Sequence, residues 1–273
     1  MARLNTYLLF TLIFLIALAV AIVAMPAAGP WRPTTIAGAL TAAAAVASFF
    51  VIRAFRAARH QPALRPTWVL FSLGALLWFA AEALTLYHLL ARGVAAAYPV
   101  YADYLWGAGA ACIIASLIVK IAQRPPRVSP QALAGALATA AVALLLAANF
   151  VILPALRNPA LSPADRAAEV FIAVADLALG ALALVVIAIH GGHGMGRPWA
   201  QLALGLVFYA AGEAIHWHLV QAGLYGPAGN LVTALAWTAG YLLIGMGAYY
   251  RRLVLKGVIP LEAPAAEPPG GGG

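Results

Sequence analysis

Eight apolar segments, each about 20 residues long, constrain the fold of this chain more than any other feature of its sequence. A helix of about 20 apolar residues is long enough to cross the hydrocarbon core of a bilayer. The segments are separated by short connectors that contain proline, glycine and arginine. They span residues 6–25, 33–54, 67–90, 100–121, 130–153, 168–190, 199–221 and 229–250. The sequence therefore predicts an all-α polytopic membrane protein with eight transmembrane helices.

The composition argues for the lipid bilayer as the surrounding medium. Hydrophobic residues make up 64% of the chain and charged residues 9%, whereas about a quarter of the residues of a soluble domain are charged. The net charge of +8 is of the kind that Lys and Arg in cytoplasmic loops produce. No basic face typical of a nucleic-acid-binding protein accompanies it. Cys112 is the only cysteine, which excludes an intrachain disulfide and a thiolate metal cluster.

The distribution of Lys and Arg predicts the orientation of the chain. Twelve of the sixteen basic residues fall on the side of the membrane that holds the N-terminus, and four fall on the other side. By the positive-inside rule, we expect both termini in the cytoplasm of a bacterial inner membrane. An alternative interpretation treats residues 1–28 as a cleaved signal peptide, which would leave seven spans. The length of the apolar run and its end at Met25-Pro26 favour a retained helix.

A pattern of five residues occurs twice, 131 positions apart and without a gap. The pairs are Trp68 and Trp199, Gly74 and Gly205, Glu82 and Glu213, Trp106 and Trp237, and Gly109 and Gly240. Because four spans return the chain to the same side, the two copies form a parallel 4+4 repeat with an axis along the membrane normal. Residues 1–127 and 128–256 are the two halves, and residues 257–273 are a disordered tail rich in proline and glycine.

Ionisable side chains inside the spans are the candidates for function, because a charge at the centre of a bilayer costs at least about 2.5 kcal/mol. Their distances from the span ends place them together in the outer half of the membrane. We therefore expect a ligand-binding pocket there, lined by Glu82, Asp103, Asp176, Glu213 and His216. In a structural alternative, Glu82 and Glu213 are uncharged acids hydrogen-bonded across the interface between the halves, since desolvation disfavours the charged form.

A metal or haem site is a further alternative. Glu213 and His216 have the Glu-x-x-His spacing that supplies metal ligands in helix bundles. A dinuclear site needs that motif twice, and the first half has Thr85 in place of the histidine. A single metal site, or haem between two histidines, stays open as a cofactor hypothesis. The candidate ligands are Glu82, Glu213, His88, His216 and His218.

Catalytic signatures such as Gly-x-Ser-x-Gly, His-Glu-x-x-His and a P-loop are absent from the sequence. The glycine-rich residues 191–196 follow a predicted span and lack the strand, Lys and Ser/Thr of a phosphate-binding loop, so we interpret them as a flexible connector. A non-enzymatic function is therefore expected, with a metal- or haem-dependent membrane oxidoreductase as an alternative.

Two runs resemble a known family. The helix from Trp68 to Glu82, WVLFSLGALLWFAAE, and the following PVYADYLWGAG of residues 99–109 are similar to the multi-helix membrane sensor modules that precede bacterial diguanylate cyclases and histidine kinases. The segment around Asp176 is similar to a later aspartate-bearing helix of those modules. The resemblance extends over residues 68–251 and implies a bundle that senses a ligand.

The sequence departs from that family in that we expect no output domain after Lys256, where a short tail rich in proline and glycine follows. A sensor of this kind would need a protein partner in the membrane to pass on its signal. We therefore expect a sensor-like bundle that binds a small or lipophilic ligand. The alternative is an accessory subunit of a larger membrane complex, in which the polar groups only hold helices together.

Overall fold

The computed structural model describes residues 2–25, 31–92, 101–123, 130–158, 162–190, 197–224 and 227–259. These residues are mainly helical, and no strand occurs among them. A π-helical segment, Ala148–Ile152, joins α5 to α6. The helices are α1 (Ala2–Ala24), α2 (Trp31–Ala58), α3 (Arg65–Arg92), α4 (Tyr101–Ala122), α5 (Pro130–Ala147), α6 (Leu153–Arg157), α7 (Pro163–His190), α8 (Arg197–Gln221) and α9 (Pro227–Leu255).

Each predicted apolar segment coincides with helical structure. The fifth segment differs in detail, since the chain stays helical past Leu153 and continues to Arg157. Pro154 has no N–H to donate to the preceding turn, and the π-helical segment lies immediately before it, where the α-helical hydrogen bonding is interrupted. The connector at residues 191–196 and all but the first residues of the predicted tail lie outside the described residues.

Five described helical stretches are long and apolar enough to cross a membrane. Two further apolar stretches, Leu9–Ala24 and Leu133–Val142, are shorter. Helix α8 has 25 residues, but it carries the polar residues Gln201, Glu213 and His216. The structure therefore fits an α-helical, multi-pass membrane protein. The five stretches are Trp31–Ala58, Arg65–Arg92, Tyr101–Ala122, Arg166–His190 and Leu231–Leu255.

Glycines that occur in both copies of the repeat set the packing of α3 on α4 and of α8 on α9. A Cβ atom added to Gly74 would lie 2.7 Å from the carbonyl oxygen of Gly109. A Cβ atom added to Gly205 would lie 2.6 Å from the carbonyl oxygen of Gly240. Helices approach this closely only where small residues face each other. The two helix pairs are therefore packed through equivalent contacts.

Two aromatic contacts join α3 to α8. The ring of Trp68 lies 5.1 Å from that of Trp199, and the ring of Trp78 stacks on Tyr209 at 4.3 Å and 18°. The two members of each pair are 131 positions apart. Equivalent residues of two copies can touch only near the axis that relates the copies. The contacts, at two levels of the helices, mark a local pseudo-two-fold axis running lengthwise between α3 and α8.

Helices α2 and α7 occupy corresponding places on the two sides of this axis, but the extent of their contacts differs. Helix α2 packs on α3 and α9, and α7 packs on α8 and α4. The contact of α2 with α9 is the more extensive, and a Cβ atom added to Gly245 would lie 3.2 Å from the Cα of Ala47. Between α4 and α7, the large side chain of Phe171 faces Gly107. The α4–α7 side of the bundle is therefore the less tightly packed.

Candidate functional site

A cavity of about 560 Å³ lies towards the C-terminal ends of α3 and α8, and α2, α4, α7 and α9 also contribute to its wall. We call it the polar cavity. Its volume is within the range of roughly 300 to 1,000 Å³ that is common for small-molecule sites. Much of the wall is apolar, with Ile36, Leu40 and Ile172 among its side chains. Such a wall with a few polar groups is typical of a ligand pocket.

The structure brings the five predicted binding residues to this one cavity. Glu82 comes from α3, Asp103 from α4, Asp176 from α7, and Glu213 and His216 from α8. The residues are far apart in the sequence, so only the packing of four helices places them together. Ligand binding by them stays a prediction.

The histidines that were candidate metal or haem ligands separate into two groups. His88 and His216 line the polar cavity, whereas His218 is not among its lining residues. The His216 ring packs against Trp237 with 5.2 Å between ring centroids. Across the part of the chain that the structure describes, no group of three or more His, Cys, Asp or Glu side chains could hold a metal ion. The metal alternative therefore gains no ligand set from the described residues.

Glu82 is held by a hydrogen bond from the other half of the chain. Its side chain is 4% exposed, and the hydroxyl of Tyr241 donates to its Oε1 atom at 2.8 Å. Tyr241 also packs edge-on against Trp78, with 5.9 Å between ring centroids. The structural interpretation of Glu82 expected a hydrogen bond across the halves, and the partner is a tyrosine of α9. Glu82 thus contributes to helix packing as well as to the cavity wall.

Glu213 has different surroundings from its equivalent, Glu82. It lies one turn after Tyr209 on α8, and the hydroxyl of Tyr209 is within hydrogen-bonding reach of its carboxyl group. Asp176 and Glu82 are both close enough to interact with it electrostatically. Three carboxyl groups from three helices therefore line the same cavity.

Asp176 and Trp237 have buried polar atoms without a partner in the protein. The Asp176 side chain is 8% exposed, and its Oδ2 atom has no hydrogen-bond partner. The indole Nε1 of Trp237 also has none. Buried polar atoms are nearly always hydrogen-bonded. Both residues line the polar cavity, so a polar group of a ligand there could complete their bonding.

Ala110 and Tyr241 matter to the site and were not predicted from the sequence. They occupy equivalent positions, next to Gly109 and Gly240. Tyr241 is buried and fills its side of the axis, whereas Ala110 lines the polar cavity. The small side chain of Ala110 leaves open part of the space that a tyrosine would fill at this position. The exchange of alanine for tyrosine between the two copies was the sequence signal for this difference.

Most ionisable residues of the cavity have no ionisable counterpart in the other half. Only the glutamates Glu82 and Glu213 form a matched pair. The unmatched pairs at the same offset are Asp103 and Ala234, Asp176 and Ala45, His88 and Leu219, and His216 and Thr85. Both halves contribute to the cavity wall, but its ionisable groups are therefore distributed unequally about the axis.

Comparisons with protein-family models, with curated proteins and with solved structures gave no match to this chain. The likeness to membrane sensor modules consequently rests on the sequence runs around Glu82, Asp103 and Asp176 alone.

Proposed function

We propose that this protein is a non-enzymatic, sensor-like membrane bundle that binds a small or lipophilic ligand in the polar cavity. One observation carries the proposal, namely the meeting of Glu82, Asp103, Asp176, Glu213 and His216 at a single cavity of about 560 Å³. Ionisable groups within membrane helices are costly and commonly mark functional sites. The likeness to sensor modules supports sensing as the purpose of binding.

The proposal includes an arrangement in the membrane. The chain has eight spans in a parallel 4+4 repeat, lies in a bacterial inner membrane, and has both termini in the cytoplasm. The axis between α3 and α8 supports the repeat. Basic residues concentrated at the end of the bundle opposite the polar cavity support the orientation. They are Arg53, Arg56, Arg59, Arg65, Lys120, Arg197, Arg251, Arg252 and Lys256.

Reporter fusions test the orientation. A reporter that is active only in the periplasm should be active when fused after Tyr225 and inactive when fused after Arg127. The reverse pattern would contradict the proposed orientation without bearing on the cavity.

The reaction of an introduced cysteine tests whether a small molecule can reach the cavity, as ligand binding requires. Because Cys112 is the only cysteine, a Cys112→Ala background lets one introduced cysteine report on one position. We expect Ala110→Cys in this background to react with the small neutral reagent methyl methanethiosulfonate, since Ala110 lines the cavity. The control Ala54→Cys is at a fully buried position of α2 that does not line the cavity and should not react. Equal reaction rates at the two positions would contradict an accessible site.

A second candidate function is a structural role in a larger membrane complex. The hydrogen bond from Tyr241 to Glu82 favours it, because that bond gives a buried carboxyl group a role in holding helices together. Native pull-down with mass spectrometry tests this candidate. Larger membrane subunits recovered in fixed ratio, together with an unreactive Ala110→Cys, would favour the structural role over ligand binding.

A further inference from the structure

We propose that the ligand of the polar cavity is an organic monocation, an amine or quaternary ammonium group carried on an apolar body. This inference rests on the proposed function, since it names the chemical class of the ligand of the same site. It is carried by three features of the cavity wall, which are its charge, the buried oxygen of Asp176 and its aromatic side chains.

Charge is distributed unevenly between the cavity and the rest of the chain. The chain has eight Asp and Glu and sixteen Lys and Arg. Four of those acids line the cavity, and its described lining residues include no Lys or Arg. Arg32 immediately precedes the lining residue Pro33 but is not itself part of the wall. An anionic ligand would face repulsion from any ionised carboxyl group here, whereas a cation stabilises the ionised form of these acids and is attracted to it, more strongly in a medium of low dielectric constant than in water.

Asp176 supplies an acceptor that the protein does not use. The side chain is more than nine-tenths buried, and its Oδ2 atom has no hydrogen-bond partner among protein atoms. Glu82, by contrast, accepts from Tyr241. A buried carboxylate oxygen without a donor is unfavourable. The N–H of an ammonium ligand, or the positive charge of a quaternary one, compensates Asp176 directly.

Aromatic rings complete the match to an organic cation. The faces of indole and phenol rings attract cations, and Trp does so most strongly. Rings placed beside carboxylates therefore suit an ammonium group, and the apolar part of the wall suits a hydrocarbon body. A bare metal ion fits less well, since no metal-binding group of side chains occurs among the described residues. The aromatic lining residues are Trp106, Tyr209, Trp217 and Trp237.

Two reagents with the same reactive group and opposite charge test the inference. The Ala110→Cys variant in the Cys112→Ala background is treated with (trimethylammonio)ethyl methanethiosulfonate or with sulfonatoethyl methanethiosulfonate. In both reactions the cysteine thiolate forms a disulfide with the reagent and methanesulfinate leaves, so only the charge of the entering group differs. The reference is Ala222→Cys, at an exposed turn after α8.

We expect the ratio of cationic to anionic reaction rates to be at least about tenfold higher at Ala110→Cys than at Ala222→Cys, because clefts of one charge concentrate ions of the opposite charge. Adding Asp176→Asn or Glu213→Gln should lower that ratio. Glu169→Gln is the matched control, because it removes a carboxylate from α7 outside the cavity wall. Circular dichroism confirms that each variant remains folded.

Protection by ligand probes is the second measurement. Benzyltrimethylammonium should slow the reaction of Ala110→Cys with methyl methanethiosulfonate, and its neutral isostere neopentylbenzene should not. If the position reacts but shows the charge ratio of Ala222→Cys and no preference between the probes, the cation assignment is overturned and the proposed function stands. If the position reacts with none of the reagents, both are overturned.

Discussion

The two halves of this molecule share one helix pair and differ in what they place beside it. The α3–α4 and α8–α9 pairs meet through equivalent glycines, and their aromatic side chains touch across a local axis. On one side of the axis, Tyr241 fills the space and bonds to Glu82. On the other side, Ala110 lines a cavity that gathers four carboxyl groups. The repeated glycines build the frame, the repeated Glu82 and Glu213 line the candidate site, and the residues that differ between the halves make that site asymmetric.

The greatest loss of stability is expected from substitutions at the glycine contacts that both helix pairs share. In Gly205→Ala the new Cβ would lie 2.6 Å from the Gly240 carbonyl oxygen and 2.7 Å from the Ile244 nitrogen. Because both neighbours are backbone atoms, we expect the free energy of unfolding to fall by about 3 kcal/mol, at the upper end of the usual cost of overpacking. Titration with sodium dodecyl sulfate measures it. Gly38→Ala is the control, since nothing lies within 4 Å of its Cβ position.

The equivalent substitution in the other half tests whether the α3–α4 contact is as close as the α8–α9 contact. Gly74→Ala also meets a backbone oxygen, that of Gly109, at 2.7 Å, and should cost a similar amount. An unfolding free energy for Gly205→Ala equal to that of Gly38→Ala would contradict the close crossing of α8 and α9.

The next effect tests the feature that separates the halves. Ala110→Tyr places in α4 the residue that α9 has at the equivalent position. The tyrosine should occupy part of the cavity and weaken the binding of benzyltrimethylammonium at least about tenfold, because a filled pocket can no longer bury the ligand. Quenching of tryptophan fluorescence measures the affinity. Ala110→Gly keeps the cavity open and should bind like the parent, so equal binding by the two variants would show that the probe binds elsewhere.

A smaller effect is expected from the hydrogen bond that joins the halves. Tyr241→Phe removes the donor to Glu82 and leaves its buried oxygen without that partner. We expect a loss of about 1 to 2 kcal/mol in the free energy of unfolding. Tyr104→Phe, at a position that is 62% exposed, should change it by less than about 0.5 kcal/mol. Equal losses of unfolding free energy for the two variants would contradict a stabilising role for this hydrogen bond.

The smallest effect concerns the contacts on the axis. A double-mutant cycle with Trp78→Leu and Tyr209→Leu should give a coupling of about 0.5 to 1.5 kcal/mol, as is usual for stacked aromatic pairs. A parallel cycle of Trp78→Leu with Phe49→Leu, an exposed position on α2, should give a coupling close to zero. Additive losses at Trp78 and Tyr209 would show that their stacking does not contribute to stability.

The sequence predicted where the helices lie along the chain better than which side of each helix contacts its neighbours. Runs of apolar residues and a constant offset are local signals, so the helices and the duplicated pattern could be predicted directly. The depth of Glu82, Asp176 and Glu213 followed from counting along each span, which explains why their convergence was expected. Counting residues along a span does not show how the helix is rotated about its own axis. The bond from Tyr241 and the space at Ala110 depend on that rotation, and they became visible only in the packed structure.

The claim that the polar cavity extends further into the α4–α7 side of the bundle than into the α2–α9 side is best tested at two equivalent positions. Ala175 is buried but lines the polar cavity, whereas Ala44, which is 131 positions earlier, is buried and does not line it. In the Cys112→Ala background, Ala175→Cys should react readily with (trimethylammonio)ethyl methanethiosulfonate, and Ala44→Cys should stay unmodified over the same time. Equal reaction rates at the two positions would contradict the claim.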